Sequence, residues 1–174
     1  MMHEEFGQIL ARTLVLGSRL IPASAYRDHP DTFGHVYTQL LDAGAPIVLG
    51  CLVAGGKVSE NAYIDSAIHP AWRTAKTHIV LINIWDDSTS LSNVSSIQNA
   101  FKDSQLPILE QIAGSPGAAY SNEGDSLEED FKTTFFGPNY PRLEEIKGGM
   151  IQRTCSLWQR ELVVIDGTKT DFAR

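Results

Sequence analysis

The sequence predicts an α+β fold, a mostly antiparallel sheet backed by helices, and three observations lead there. Residues 46–54 and 78–85 are apolar runs of strand length. Residues 30–42 and 94–112 instead repeat their apolar side chains at helical spacing. The chain has 174 residues, 43% hydrophobic and 20% charged, enough to bury one good core, and no repeat, low-complexity tract or linker divides it. Helices and strands mixed in this way pack as layers around one core.

In chain order, residues 3–16 read as a helix with Phe6, Ile9, Leu10 and Leu14 on one face. Ser18 to Pro22 is a short extended piece, ended by the proline because it has no N–H to pair. A helix then starts at His29-Pro30-Asp31, aligns Phe33, Val36, Tyr37, Leu40 and Leu41, and closes at Asp42-Ala43-Gly44. Pro46 to Ala54 is expected as a buried strand stopped by Gly55-Gly56, and residues 57–66 show no period. His69-Pro70-Ala71-Trp72-Arg73 is a turn carrying an aromatic, His78 to Trp85 the next strand, and Asp86 to Asn93 a polar loop. Val94, Ile97 and Phe101, then Leu106, Leu109 and Ile112, predict one long helical stretch that Pro107 kinks or splits. Ala118 to Asn122 is a short strand entering a Gly/Asp turn. Ser126-Leu127-Glu128-Glu129 has the form of a capping box, opening a helix striped by Leu127, Phe131 and Phe135. After the turn at residues 137–141, Leu143 and Ile146 begin a helix expected to end at Gly148-Gly149.

Bulk properties exclude several functions. A formal charge of -7 gives no basic face for phosphates, so a general nucleic-acid partner is not expected. No stretch approaches the apolar length of a membrane span. The acidic start, Met1-Met2-His3-Glu4-Glu5, lacks the pattern of a signal peptide, so the product as written is expected in the cytoplasm, with secretion left open for a full-length parent. Cys51 and Cys155 are too few for a disulfide framework. The five histidines (His3, His29, His35, His69 and His78) never fall at metal-ligand spacing and read as surface or turn residues, so no metal is expected. Gly55-Gly56 lacks the Lys-Ser/Thr of a phosphate loop. Trp72 and Trp85 read as packing residues at strand ends, where site walls are often built.

The densest meeting of polar and apolar groups is Tyr120-Ser121-Asn122-Glu123. On a strand, Tyr120 and Asn122 would point one way and Ser121 and Glu123 the other. Two readings of Glu123 stay open. It is a carboxylate that faces a cavity and takes a proton there, or a solvated acid beside a turn.

This stretch also carries a resemblance. Residues 117–125, Gly-Ala-Ala-Tyr-Ser-Asn-Glu-Gly-Asp, followed by Phe135-Phe136-Gly137-Pro138-Asn139-Tyr140-Pro141-Arg142-Leu143 and Ile146-Lys147, resemble the C-terminal berberine-bridge segment of fungal FAD-linked oxidoreductases. Ser18 to Pro22 and His69 to Arg73 resemble upstream landmarks of the same proteins. The resemblance implies a substrate domain of antiparallel sheet backed by helices, FAD as cofactor and a small-molecule substrate. Family members pass a hydride from an alcohol or activated C–H bond to the flavin, and oxygen reoxidises it to give peroxide. The protein's share is positioning and a base. Glu123 matches the position of that base, and Tyr120 and Asn122 match residues that line or brace the flavin face. The resemblance further suggests secondary metabolism, with ergot-type alkaloid pathways as one setting.

It also predicts how the chain divides: residues 1–114 as a partial substrate-binding domain, 115–147 as the berberine-bridge-like segment, and 148–174 as an aberrant tail. The family places its FAD-binding domain before this region, so the isolated chain is expected neither to bind FAD nor to turn over substrate. Beyond Lys147 the family ending is replaced, yet it can be recovered by reading the codons one base back. Met150 into Ile151 then forces Asp, Trp158 into Gln159 forces Ala, and synonymous choices restore Y-D-P and G-V-G-S runs. A single-base deletion near Lys147 is therefore expected. The alternative expectation is a non-enzymatic α+β binding or dimerisation module with its own stable core.

Overall fold

The computed structural model describes residues 14–114 and 117–151. Three strands form an antiparallel sheet in the order β1-β3-β2: β1 is Leu14–Pro22, β2 is Ile47–Leu52 and β3 is Ala75–Ile84. The central strand carries the apolar run Ile79 to Ile82, because neighbours on both sides and packing on both faces remove that stretch from water. Its register places His78 opposite Leu20 of β1 and Cys51 of β2, so these three side chains share one face.

The other face, carrying Val15, Ile21, Ile79 and Leu81, is covered by helices. α1 (Ala23–Asp28) leads into α2 (Pro30–Asp42), which buries Phe33, Val36 and Leu40. α3 (Lys57–Glu60) is a single turn joined to the turn of residues 70–73 through Arg73. α4 (Leu91–Ala100) and α5 (Leu106–Ala113) flank a π-helical turn, Phe101–Gln105. Phe101, Leu106, Leu109 and Ile112 complete the main core, and Trp85 packs against it. A second, smaller cluster of Leu20, Ala75 and Ala118, with Trp72 against it, lies on the face that His78 shares. α6 (Tyr140–Ile151) closes the described part of the chain. No helix among the described residues is long and apolar enough to cross a membrane.

This is the α+β architecture expected, with several local corrections. Residues 3–13 of the first expected helix lie outside the described residues, but 14–16 open β1, where pairing with Ile82–Ile84 overrides the helical spacing. The strand expected as buried over residues 46–54 is an edge strand, with Leu49 exposed on one face and Leu52 on the other; Val48 is the β2 side chain that packs against the main core. Pro107 does not split its helix; the π turn before it absorbs the missing donor. Residues 126–129 form turns rather than a capped helix. There Asp125, not Ser126, accepts the Leu127 N–H at 2.9 Å. α6 runs through Gly148-Gly149, since neither glycine adopts the positive φ that would stop it.

Candidate functional site

The site is assembled at the free edge of β1. There the backbone N–H of Leu20 donates to the Ala118 carbonyl at 2.7 Å, laying residues 118–120 alongside the sheet. The Ala119 N–H donates to Thr134 at 2.9 Å, so the same short segment also joins the turn of residues 132–136. The chain then leaves the sheet in a 3₁₀ turn, Ser121–Glu123, instead of continuing as the expected strand. That turn undoes the strict alternation of side chains. Tyr120 and Asn122 still meet, through a hydrogen bond from Asn122 Nδ2 to the Tyr120 hydroxyl at 2.9 Å, whereas Glu123 swings toward β3.

What Glu123 meets is His78. Its Oε2 lies 3.3 Å from His78 Nδ1, with the histidine side chain 4% exposed and the carboxylate 45% exposed. Burial pushes the imidazole below its ordinary value, and the Glu123 charge only partly opposes this. In a neutral ring one nitrogen carries the proton: Nδ1 faces the Glu123 carboxylate, and Nε2 is buried without a partner. The ring is boxed by Trp72 at 6.0 Å and Tyr120 at 6.0 Å, which themselves meet edge-on at 5.7 Å. Local sequence reading missed His78. The signal available was an imidazole at the head of the apolar run Ile79 to Ile82.

The turn at His69-Pro70-Ala71-Trp72-Arg73 is a 3₁₀ helix whose cap sets Trp72 in place. His69 Nδ1 accepts from the Ala71 N–H at 3.0 Å, so Nε2 carries the proton and donates to the Thr133 carbonyl at 3.1 Å. Desolvation keeps this ring below its ordinary value as well. Gly137 fits beneath it with φ +57; a Cβ there would stand 2.7 Å from His69 Nε2. Asn139 fastens the following turn by donating to Ser66 and Ile68 carbonyls at 3.3 and 2.9 Å.

On the opposite face of β1, Arg19 grips the segment a second time. Its Nη2 reaches Glu110 of α5 at 2.7 Å and Glu128 at 2.9 Å, and its Nη1 donates to the Ser18 carbonyl at 2.9 Å. A hollow of about 160 Å³ beside it is lined by Arg19, Lys102, Glu110, Asp125 and Glu128 among others. Burial raises the Asp125 carboxyl above its ordinary value, against the pull of the Leu127 N–H and the two cations.

Residues 119–149, the span that contains Tyr120, Asn122 and Glu123, match the family model described as berberine and berberine like. An FAD-linked oxidoreductase, easE, of Arthroderma benhamiae is 31% identical over 138 residues, covering 76% of this chain and 27% of its own length. The easE protein of Claviceps purpurea is 37% identical, covering 53% of this chain and 19% of its own length. An uncharacterized FAD-linked oxidoreductase of Arthroderma benhamiae is 36% identical, covering 57% and 17% respectively. The chain resembles the berberine-like FAD-linked oxidoreductases. It spans no more than about a quarter of the length of these curated relatives. The crystal structure of the VAO-type flavoprotein MtVAO713 from Myceliophthora thermophila has the same fold over 80% of this chain and 25% of its own, with a TM-score of 0.68 and 22% identity. In these berberine-like terms, the matched segment is the one fastened to the sheet from both faces of β1.

Proposed function

We propose that residues 118–123, with His78 and Trp72 behind them, form one wall of a flavin site in an FAD-linked oxidoreductase acting on a small molecule. The carrying observation is the placement of Glu123: within the berberine-like segment, it is drawn to the sheet by His78 yet keeps its carboxylate open to water. The residues present fit the margin of such a cofactor. Tyr120 is 38% exposed and braced by Asn122, so an aromatic ring and an amide stand together at the surface beside the carboxylate. FAD, when bound, supplies the hydride acceptor for oxidation of an alcohol or activated C–H bond. Tyr120 and Asn122 line the cofactor face, and Glu123 accepts the proton that the substrate gives up. The resemblance supports a substrate from secondary metabolism, of the ergot-type alkaloid class.

In the FAD-loaded protein, Glu123→Gln lowers kcat by about 10²- to 10⁴-fold, the range for losing a general base, with KM little changed. A variant that keeps full kcat removes Glu123 from the mechanism. We also infer that residues 148–174 are a shifted reading frame, a proposal that the coding DNA read one base back supports or refutes directly.

A further inference from the structure

We propose that His78 is a positioning residue for Glu123: it engages Oε2 from the sheet side and so assigns Oε1 as the oxygen that receives the substrate proton. This rests on the reading of Glu123 as the base, and it goes further by naming which oxygen acts and what selects it.

Several observations point the same way. His78 stands in β3 on the face opposite the helices, where its buried neighbours are Leu20, Val80 and the small Ser18. Val80, two residues along on that face and 3% exposed, shows what packing alone calls for. A histidine there leaves Nε2 buried with no partner, a cost that packing does not explain. The compensating contact is the 3.3 Å approach of Nδ1 to Glu123 Oε2. The ring itself has little freedom, being set between Trp72 and Tyr120 and fixed by strand pairing to both neighbours. Glu123, by contrast, sits on a 3₁₀ turn with its side chain 45% exposed, so without His78 its carboxylate would sample several rotamers. A rigid donor beneath a mobile acceptor selects one rotamer and one oxygen. The proton step is simple: the substrate O–H bond breaks, its proton bonds to Oε1, and His78 stays neutral throughout, retaining Nδ1–H.

The test uses the 174-residue polypeptide and does not involve the flavin, so it fails or succeeds separately from the base assignment. Side-chain NMR reads the Glu123 rotamer from its methylene couplings and the His78 tautomer from its ring nitrogens. The wild type shows one dominant Glu123 rotamer and an Nδ1-protonated neutral ring. His78→Leu fills the space without a donor and produces rotamer averaging at Glu123. His78→Asn, whose side-chain amide places an N–H where Nδ1–H stood, restores the single rotamer. Glu123→Gln, at an exposed position, leaves the fold intact and moves the His78 titration further down, because the opposing charge is gone. An averaged Glu123 rotamer in the wild type, an Nε2-protonated ring, or a His78 titration indifferent to Glu123→Gln would each overturn the proposal.

Discussion

Arg19 and His78 are buried bases on opposite faces of one sheet, in adjacent ranks of the β1–β3 ladder, and the berberine-like segment answers each differently. Arg19 receives two carboxylates and a carbonyl, within 2.9 Å in every case. His78 receives one carboxylate at 3.3 Å. The arginine cannot give up its charge, so both of its terminal nitrogens are matched while Nε stays buried without a partner, and the result is a fixed clamp. The histidine can stay neutral, so a single loose partner suffices and that partner remains available to others. One face of β1 thus fastens the segment, and the other presents it.

That contrast can be broken experimentally. Arg19→Met should have the largest effect on stability. It strands Glu128, 13% exposed, and costs about 3 kcal/mol, at the low end for breaking a buried pair because Glu110 is half in water. Urea unfolding should show a lower midpoint at constant slope, and an unchanged midpoint would remove the clamp. Next comes Gly124→Ala, between the two anchor points. The added Cβ would stand 2.4 Å from Phe135 Cε1, and relieving it costs about 1–3 kcal/mol. Pairing it with Phe135→Leu should recover most of the lost thermal stability.

The two faces should also differ in the sign of their pH dependence. His78 is depressed in the folded state, so its contribution is complete above the unfolded imidazole value of about 6.5. It is lost as pH falls from there toward the depressed folded value, since the unfolded chain takes a proton that the folded ring refuses. Asp125, raised by burial, behaves oppositely. Its contribution is complete in acid, below about 3.9, and is lost as pH rises through the raised folded value. His78→Asn should flatten the first limb of a stability-versus-pH curve, and Asp125→Asn the second. The smallest effect belongs to Lys102→Ala. Its partner Glu129 is 81% exposed, so loss of that pair should leave the unfolding midpoint in place.

How much of this was legible in the chain follows from where each signal lies. α2 and the helical stretch around Phe101 were readable because each has its own period, which packing then uses. The motif Tyr120-Ser121-Asn122-Glu123 was readable as a string of residue types, and Asn122 does brace Tyr120. Its conformation was not, because residues 118–120 pair by a single bond to β1 rather than by a ladder, and no local pattern encodes that. The same holds for its partners. His78 and Glu123 are neighbours only through the register that sets β3 against β1, and Arg19 meets Glu128 only because the segment crosses that edge. Burial of β2 was overread, since an apolar run shows what a strand can bury and not whether anything lies over it.

The π turn at Phe101–Gln105 sets a rule for length changes in this region. It rotates the helix so that Phe101 lies fully buried against Gly17 while Gln105 takes Asn83 at 2.7 Å and the Ala43 carbonyl at 3.1 Å. Five residues at π spacing sweep about the angle that four sweep in an α-helix, so the turn takes in one extra residue while the helix on either side keeps its phase. Removing one residue between Phe101 and Gln105 would leave a more regular helix with both flanks still aimed at the sheet. The turn is where this region can change length by one: angular phase, not residue number, is what the neighbouring strands read.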